Sequence, residues 1–387
     1  MALPVTIDTG LDVTISGGLG SDTFGPFFSS AGAVYAIAPQ SNIVGGISPK
    51  AYKATDPTSS FSAVATCTTA LAFNAIACRQ DGDLVHVVTQ RSVGNRDVQY
   101  HLFNMATDTW DVADENVTSP GATAVVRVGV GIGVRSSGSV FVVYSGMHDV
   151  VSMNNWARVK GARRDSGVWT VDIAVDSGGS VTWGQATLVP GSSDRMHIFF
   201  QDHTNSDGYH RTFKSDNAFG TAAAYDTAVN GNCFIGPGVA YDSSGTTKVR
   251  MPFLDSTDKV SVVNFDSADT PTLAVDADVS DTTVAVQKAG WALAANGTTL
   301  YLIYSDASRD IWIDSNADGA GWGTDVEILD AVTCNILSAN VYTRQNQLVL
   351  AYIYDDAGTV KYNEYLLVQF ERTLARRLEL GLARGLA

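Results

Sequence analysis

The sequence predicts an all-β chain folded as a seven-bladed β-propeller. Three observations predict it: a composition rich in turn and strand formers, an apolar segment that recurs seven times, and a seventh copy that stops short of a full blade. The chain has 387 residues, 45% of them hydrophobic, with 36 glycines and abundant Val, Thr and aromatic residues. That mixture suits short strands separated by tight turns better than long helices. A chain of this length still fits one large all-β unit.

The recurrence comes first. Strand-like apolar segments begin at Val34, Leu84, Val140, Met196, Lys248, Leu300 and Leu348, spaced 48 to 56 residues apart. A period near 50 residues matches a four-stranded propeller blade, and blades stack radially because no single blade covers both of its own faces. Most of these segments follow a hairpin sequence, as in Gln80-Asp81-Gly82-Asp83, Ser136-Ser137-Gly138, Ser243-Ser244-Gly245 and Asn296-Gly297. Each apolar segment is therefore read as the second strand of its blade. Tyr35, Val87, Phe141, Phe199, Phe253, Leu302 and Leu350 are expected in inner or middle strands.

A third strand follows, exemplified by Arg96 to Tyr100 and Arg309 to Ile313, with apolar and polar residues alternating as on a half-buried strand. After it comes a recurring turn that carries an aspartate and then an aromatic residue. The copies are Asp56 with Phe61, Asp108 with Trp110, Asp165 with Trp169, Asp216 with Phe219, and Asp318 with Trp322. An aspartate can bond its own turn backbone, and the aromatic can plug into the neighbouring blade, so these residues are assigned a structural role.

On these turns the chain resembles the sialidase-like propellers, whose blades carry the Asp-box, roughly Ser-x-Asp-x-Gly-x-Thr-Trp. The stretch Ser315 to Trp322 is the nearest copy, with its Asp shifted by one residue and Gly321 in place of the hydroxyl residue. Sialidases of that family grip a carboxylate with three arginines, the first in a Phe/Tyr-Arg-Ile-Pro motif, and use a Tyr/Glu nucleophile pair with an acidic partner. That motif is absent here. Arg79, Arg127, Arg135, Arg250 and Arg344 lie on or beside strands but do not align with the triad. No catalytic residue is carried over, and a non-enzyme is expected.

The seventh copy runs from Leu348 to Val368 without an Asp turn or a fourth strand. Strand-like segments at Val5-Thr6-Ile7 and Val13-Thr14-Ile15 have no other blade to join. One of them, within residues 4 to 16, is expected to pair with the strand around Tyr362 to Val368 and remove an open edge. The propeller is thus assigned to residues 1–370. Residues 371–387 form an amphipathic tail whose Leu374, Leu378 and Leu382 recur at helical spacing, either capping their own propeller or anchoring another subunit.

Several function classes are excluded. A net charge of −15 argues against attraction to nucleic acid or anionic membranes. The longest apolar run, Val125 to Val134, is too short to cross a bilayer. No basic-then-apolar start reads as a secretory signal. Phosphate loops, dinucleotide fingerprints, HExxH and Ser-His-Asp spacings are missing. The four cysteines, Cys67, Cys78, Cys233 and Cys334, show no CxxC pair and no histidine at metal spacing, so buried free thiols are expected, with a Cys67 to Cys78 disulfide left open.

The remaining candidates are acids at the ends of second strands: Asp202, Asp255, Asp306, Asp355 and Asp356, with His203 beside the first and His148 in the equivalent place of the third blade. Equivalent positions of a propeller share one face, so these groups could ring one mouth of the channel. They could hold a divalent cation such as calcium through oxygen ligands, bind polar sugars, or serve only as turn residues. No other cofactor is implied. Enrichment in Ala, Gly, Ser, Thr and Asp is similar to structural proteins of tailed bacteriophages. That resemblance implies a non-enzymatic virion component, such as a fibre, spike, decoration or tail protein, placed in the virion, with a soluble cytoplasmic protein as the alternative. Its partners would be other virion subunits and a host-surface glycan or receptor. The alternative is a carbohydrate-active propeller, either lectin or glycoside hydrolase.

Overall fold

A computed structural model of the chain describes residues 3–9, 25–39, 49–67, 73–91, 97–118, 129–147, 158–175, 183–202, 205–227, 229, 235–284, 290–318, 320–330, 334–357 and 359–367. These residues form seven four-stranded antiparallel sheets, each with its strands in sequence order except the last. The blades comprise residues 27–66, 73–118, 129–174, 183–226, 239–276, 291–329, and finally 334–366 together with 5–9. The seven apolar segments are the second strands: Val34–Pro39, Leu84–Arg91, Val140–Met147, Met196–Asp202, Thr246–Leu254, Thr299–Ser305 and Gln347–Asp356. The hairpins before them take the expected shape, with Gly138 at φ 79° and Gly245 at φ 82°, where a side chain would be strained. The third strands begin two residues later than the sequence suggests, at Val98–Asn104 and Ile311–Ala317.

These second strands read as unbroken apolar runs because both faces are buried. In blade 6, Tyr301 and Ile303 pack toward blade 7, while Leu302 and Tyr304 pack toward blade 5. Side chains alternate across a strand, so each blade supplies half of the core on either side of it. The hydrophobic core is accordingly a set of seams between blades: 2 with 3, 3 with 4, 4 with 5, 5 with 6, and 6 with 7, with one larger cluster joining blades 7, 1 and 2. Inner strands approach one another closely. A Cβ at Gly131 would sit 2.7 Å from the Leu188 amide, so only glycine lets blade 3 lie so near blade 4.

The ring closes through Val5–Thr9, which takes the outermost position of blade 7 beside Thr359–Leu366. Val5 faces Tyr362, Thr6 faces Lys361 and Thr9 faces Thr359, with an irregularity between Thr6 and Asp8. The closing strand therefore engages the first half of the third strand rather than the stretch beyond Tyr362. Ile7 from this strand joins the cluster shared by blades 7, 1 and 2. Among the described residues no helix is long and apolar enough to cross a membrane. The tail with Leu374, Leu378 and Leu382 lies outside the described residues.

Candidate functional site

Along the axis, the inner strands leave a cavity of about 460 Å³. Its wall comes from the first strands of five blades: Phe27 from blade 1, Cys78 to Gln80 from blade 2, Val239 and Ala240 from blade 5, Leu293 to Ala295 from blade 6, and Ala339 and Asn340 from blade 7. Most of these side chains are small or apolar, which is what leaves the space open. Two of the polar ones are committed to structure. Gln80 donates to the Phe28 and Gly82 carbonyls at 2.7 and 2.9 Å, and its Oε1 accepts from the Phe28 amide. Asn340 reaches the Pro26 carbonyl at 3.4 Å and accepts from the Val341 amide. Both tie blade 1 to a neighbour.

Arg79 differs from them. Among the described residues its guanidinium makes no hydrogen bond or ion pair. Burial pulls its pKa down from the ordinary arginine value, with Asp81 acting in the opposite direction, and a guanidinium remains charged at any physiological pH. The other strand arginines are occupied. Arg135 bridges to blade 4 through the Asp194 and Lys214 carbonyls and Asn217, Arg250 bonds the Val249 carbonyl and lies over Tyr241, and Arg344 pairs with Glu364 at 2.8 Å. Arg127 lies outside the described residues. No three-arginine grip is assembled from the described residues.

The acids at the ends of the second strands are placed on one side of the ring by topology, since all second strands run the same way. None of them lines the cavity. Asp202, Asp255, Asp306 and Asp355 are buried, at 1%, 8%, 8% and 5% exposure. Asp202 accepts from the Asn205 amide and side chain at 3.3 and 2.6 Å, and Asp306 accepts from the Asp310 amide and Trp312 Nε1 at 3.0 and 3.1 Å. Burial drives the Asp255 carboxyl upward, but hydrogen bonds from Thr257, Ser261 and Lys259 outweigh it and hold the group below its ordinary value. Asp356 pairs with Lys361 at 2.5 Å. In Asp202, Asp255 and Asp306 the carboxylate closes the turn that follows its own strand. His148 and His203 lie outside the described residues.

The Asp turns join third to fourth strands and divide into two kinds. Asp56 and Asp216 accept from the Thr58 and Ala218 amides of their own turns, at 2.8 and 2.9 Å. Asp108 and Asp318 instead reach the preceding blade: Asp108 binds the Tyr35 hydroxyl and Lys53 at 2.7 Å each, and Asp318 accepts from Ser243. Asp165 pairs with Arg163 on its own blade. The aromatic residues follow a similar division. Trp169 stacks edge-on against Tyr100 of blade 2 and Trp322 donates to Asp276 of blade 5, whereas Trp110 packs on Phe103 within its own blade.

One gathering of metal-capable donors escaped the sequence reading, at the seam of blades 1 and 2: Cys67, His101 and Asp114. Cys67 and Cys78 are both buried free thiols.

No protein-family model matches the chain, and no curated protein matches it. Solved structures do. A lectin from Burkholderia pseudomallei, BP39L, aligns over 93% of this chain and 96% of its own at a TM-score of 0.62 and 12% identity. The fucose-recognising six-bladed propeller lectin of Aleuria aurantia aligns over 83% and 98% at 0.49 and 13%. A Hadza microbial sialidase, Hz136, aligns over 74% and 64% at 0.46 and 15%. At such identities the likeness to BP39L speaks for the propeller fold.

Proposed function

We propose that this chain is a non-enzymatic carbohydrate-binding propeller whose axial cavity receives a polar sugar, with Arg79 as its anchoring group. The observation that carries the proposal is that Arg79, the one charged residue among the described cavity-lining residues, has a guanidinium not committed to another described side chain or carbonyl. A planar fork of donors suits sugar hydroxyls and, better still, a sugar carboxylate. A cavity of this size accommodates a mono- or disaccharide. Glycoside hydrolysis would need two carboxyl groups flanking the scissile bond, and none of the described lining residues is acidic. The lectin name of the structure similar over nearly the whole chain agrees with this reading, although a shared fold alone assigns no function. An attachment role within a larger particle, virion included, is compatible with a binding propeller and rests on the sequence resemblance alone.

A glycan array, run with neutral and acidic sugars alongside a hydrolysis screen, tests the proposal. The expected result is retention of acidic glycans without turnover, weakened at least tenfold by Arg79→Ala and partly restored by Arg79→Lys. Turnover of any glycan, or binding that ignores Arg79, would overturn it.

A further inference from the structure

Cys67 follows the fourth strand of blade 1, Ser62–Thr66. His101 sits on the third strand of blade 2 and Asp114 on its fourth. They are 34 and 13 residues apart, and only the packing of one blade on the next brings them together. Cys67 and His101 are 2% and 1% exposed, and the Asp114 side chain is 14% exposed. Cys67 Sγ lies 3.3 Å from His101 Nδ1 and 3.6 Å from Asp114 Oδ1, and those two atoms are 3.5 Å apart.

Those separations suit hydrogen bonds and suit a shared metal ion equally well. Tetrahedral zinc with ordinary Zn–S, Zn–N and Zn–O lengths has ligand-to-ligand edges of about 3.3 to 3.6 Å. The three donors approach one face of such a tetrahedron, each edge within about 0.3 Å of its ideal length. The backbone contributes as well: two residues, Ala113 and Asp114, stand opposite His101 in the register between Tyr100 and Leu102, and Asp114 there adopts φ 56°. A bulge of this kind re-aims a side chain, and here it directs Asp114 toward His101 and Cys67. Thr89 Oγ1 lies 3.0 Å from His101 Nε2, and the Asp114 amide donates to Nδ1 at 3.1 Å. That pattern assigns the ring proton to Nε2, with Thr89 as the outer partner that fixes the ring, and makes Nδ1 the acceptor, engaged by the Asp114 amide with the thiol and carboxylate within reach.

We propose that Cys67, His101 and Asp114 form a zinc site that pins blade 1 to blade 2. The metal binds Sγ, Nδ1 and Oδ1, with water in the fourth position on the partly exposed side. The S–H bond breaks, its proton passes to solvent, and a Zn–S bond forms while the Asp114 amide releases Nδ1. The thiolate and carboxylate then balance the metal's two charges, so a neutral centre occupies the seam. A hydrogen-bonded knot of the same residues is the competing account. It predicts a thiol and no metal uptake, which the cobalt spectrum separates from a thiolate-bound ion.

The test uses the whole chain after chelator treatment, with zinc and then cobalt chloride as probes. Expected are one zinc per chain at micromolar concentration, a melting temperature raised by several degrees, and thiolate-to-cobalt charge-transfer absorption in the cobalt form. Cys67→Ser should abolish that absorption and weaken zinc binding at least tenfold. Asp114→Asn should weaken binding while keeping the absorption, and it decides the matter together with the wild-type cobalt spectrum if the serine variant does not fold. No uptake by the wild type, or equal uptake by Cys67→Ser, would overturn the site. Neither result depends on glycan binding.

Discussion

The seam between blades 4 and 5 and the seam between blades 5 and 6 share blade 5 as a wall, yet they bury opposite kinds of titratable group. The first holds His197 and His210, stacked on each other with Nδ1 and Nε2 3.1 Å apart and framed by Phe265 and Phe199. Burial drives the His197 imidazole down to about 3, and it drives His210 well below the ordinary value. The second seam holds Asp314 and Asp325, 0% and 4% exposed, with Tyr304 and the Asp281 amide donating to Asp325. Burial raises Asp314 to about 7 and Asp325 to about 6. Two seams of one architecture thus respond to pH in opposite senses. The repeat dictates the shape of a seam, and the few polar residues within it dictate its chemistry.

The largest expected effect tests whether the aromatic frame is what keeps the imidazoles neutral. Phe265→Ala should cost about 3–5 kcal/mol at pH 8, read by chemical denaturation. Because it lets water reach both histidines, it should also flatten the loss of stability on acidification. A steep acid limb surviving in this variant would break the link between burial and titration.

Next in size is the acid limb of the intact protein. A histidine whose folded pKa is depressed contributes stability that is fully present above its unfolded value near 6.5 and is lost as pH falls toward the folded value. Each such group loses about 1.4 kcal/mol per pH unit below 6.5, and His86, driven by burial to about 4, adds to the pair. The melting temperature should fall between pH 6.5 and 4.5, and His210→Phe should lessen that fall.

Asp314 works the other way. A carboxyl with a raised folded pKa favours the fold most below its unfolded value of 3.8 and loses that contribution as pH rises through about 7. Asp314→Asn should therefore add about 1–3 kcal/mol at pH 8 and steepen the acid limb by removing a group that offsets it. A variant less stable at pH 8 would show that the ionised carboxylate is needed in that seam. Smallest is Trp322→Phe, which removes the 3.1 Å hydrogen bond to Asp276 and should cost about 0.5–1.5 kcal/mol by thermal melting.

The architecture was legible because a propeller writes itself into the chain seven times. The doubly buried second strands, their hairpins and the incomplete last blade are all local patterns. What the seams contain is not local. His197 and Phe265 meet across two blades, and Cys67, His101 and Asp114 come from segments that no spacing rule connects. The bulge that turns Asp114 inward leaves no mark in composition. Arg79 was visible as a strand arginine, but whether it faces the axis or a neighbouring blade depends on register. The acids after the second strands were placed on one side of the ring by rhythm alone. Their burial against turn amides could not be foreseen, because Asp serves equally well in a solvated turn.

The strand Val5–Thr9 completes its sheet only with residues that lie some 350 positions further along the chain. During synthesis the ribosome releases that strand long before its partner exists. Six blades can stack in order as they emerge, yet the circle stays open until residues 359–366 are free of the exit tunnel. A nascent chain arrested before that point carries an unpaired strand at one end and an uncovered blade face at the other. Two such chains could then complete each other rather than themselves, so the emergence of residues 359–366 decides whether the product is a ring or a tangle.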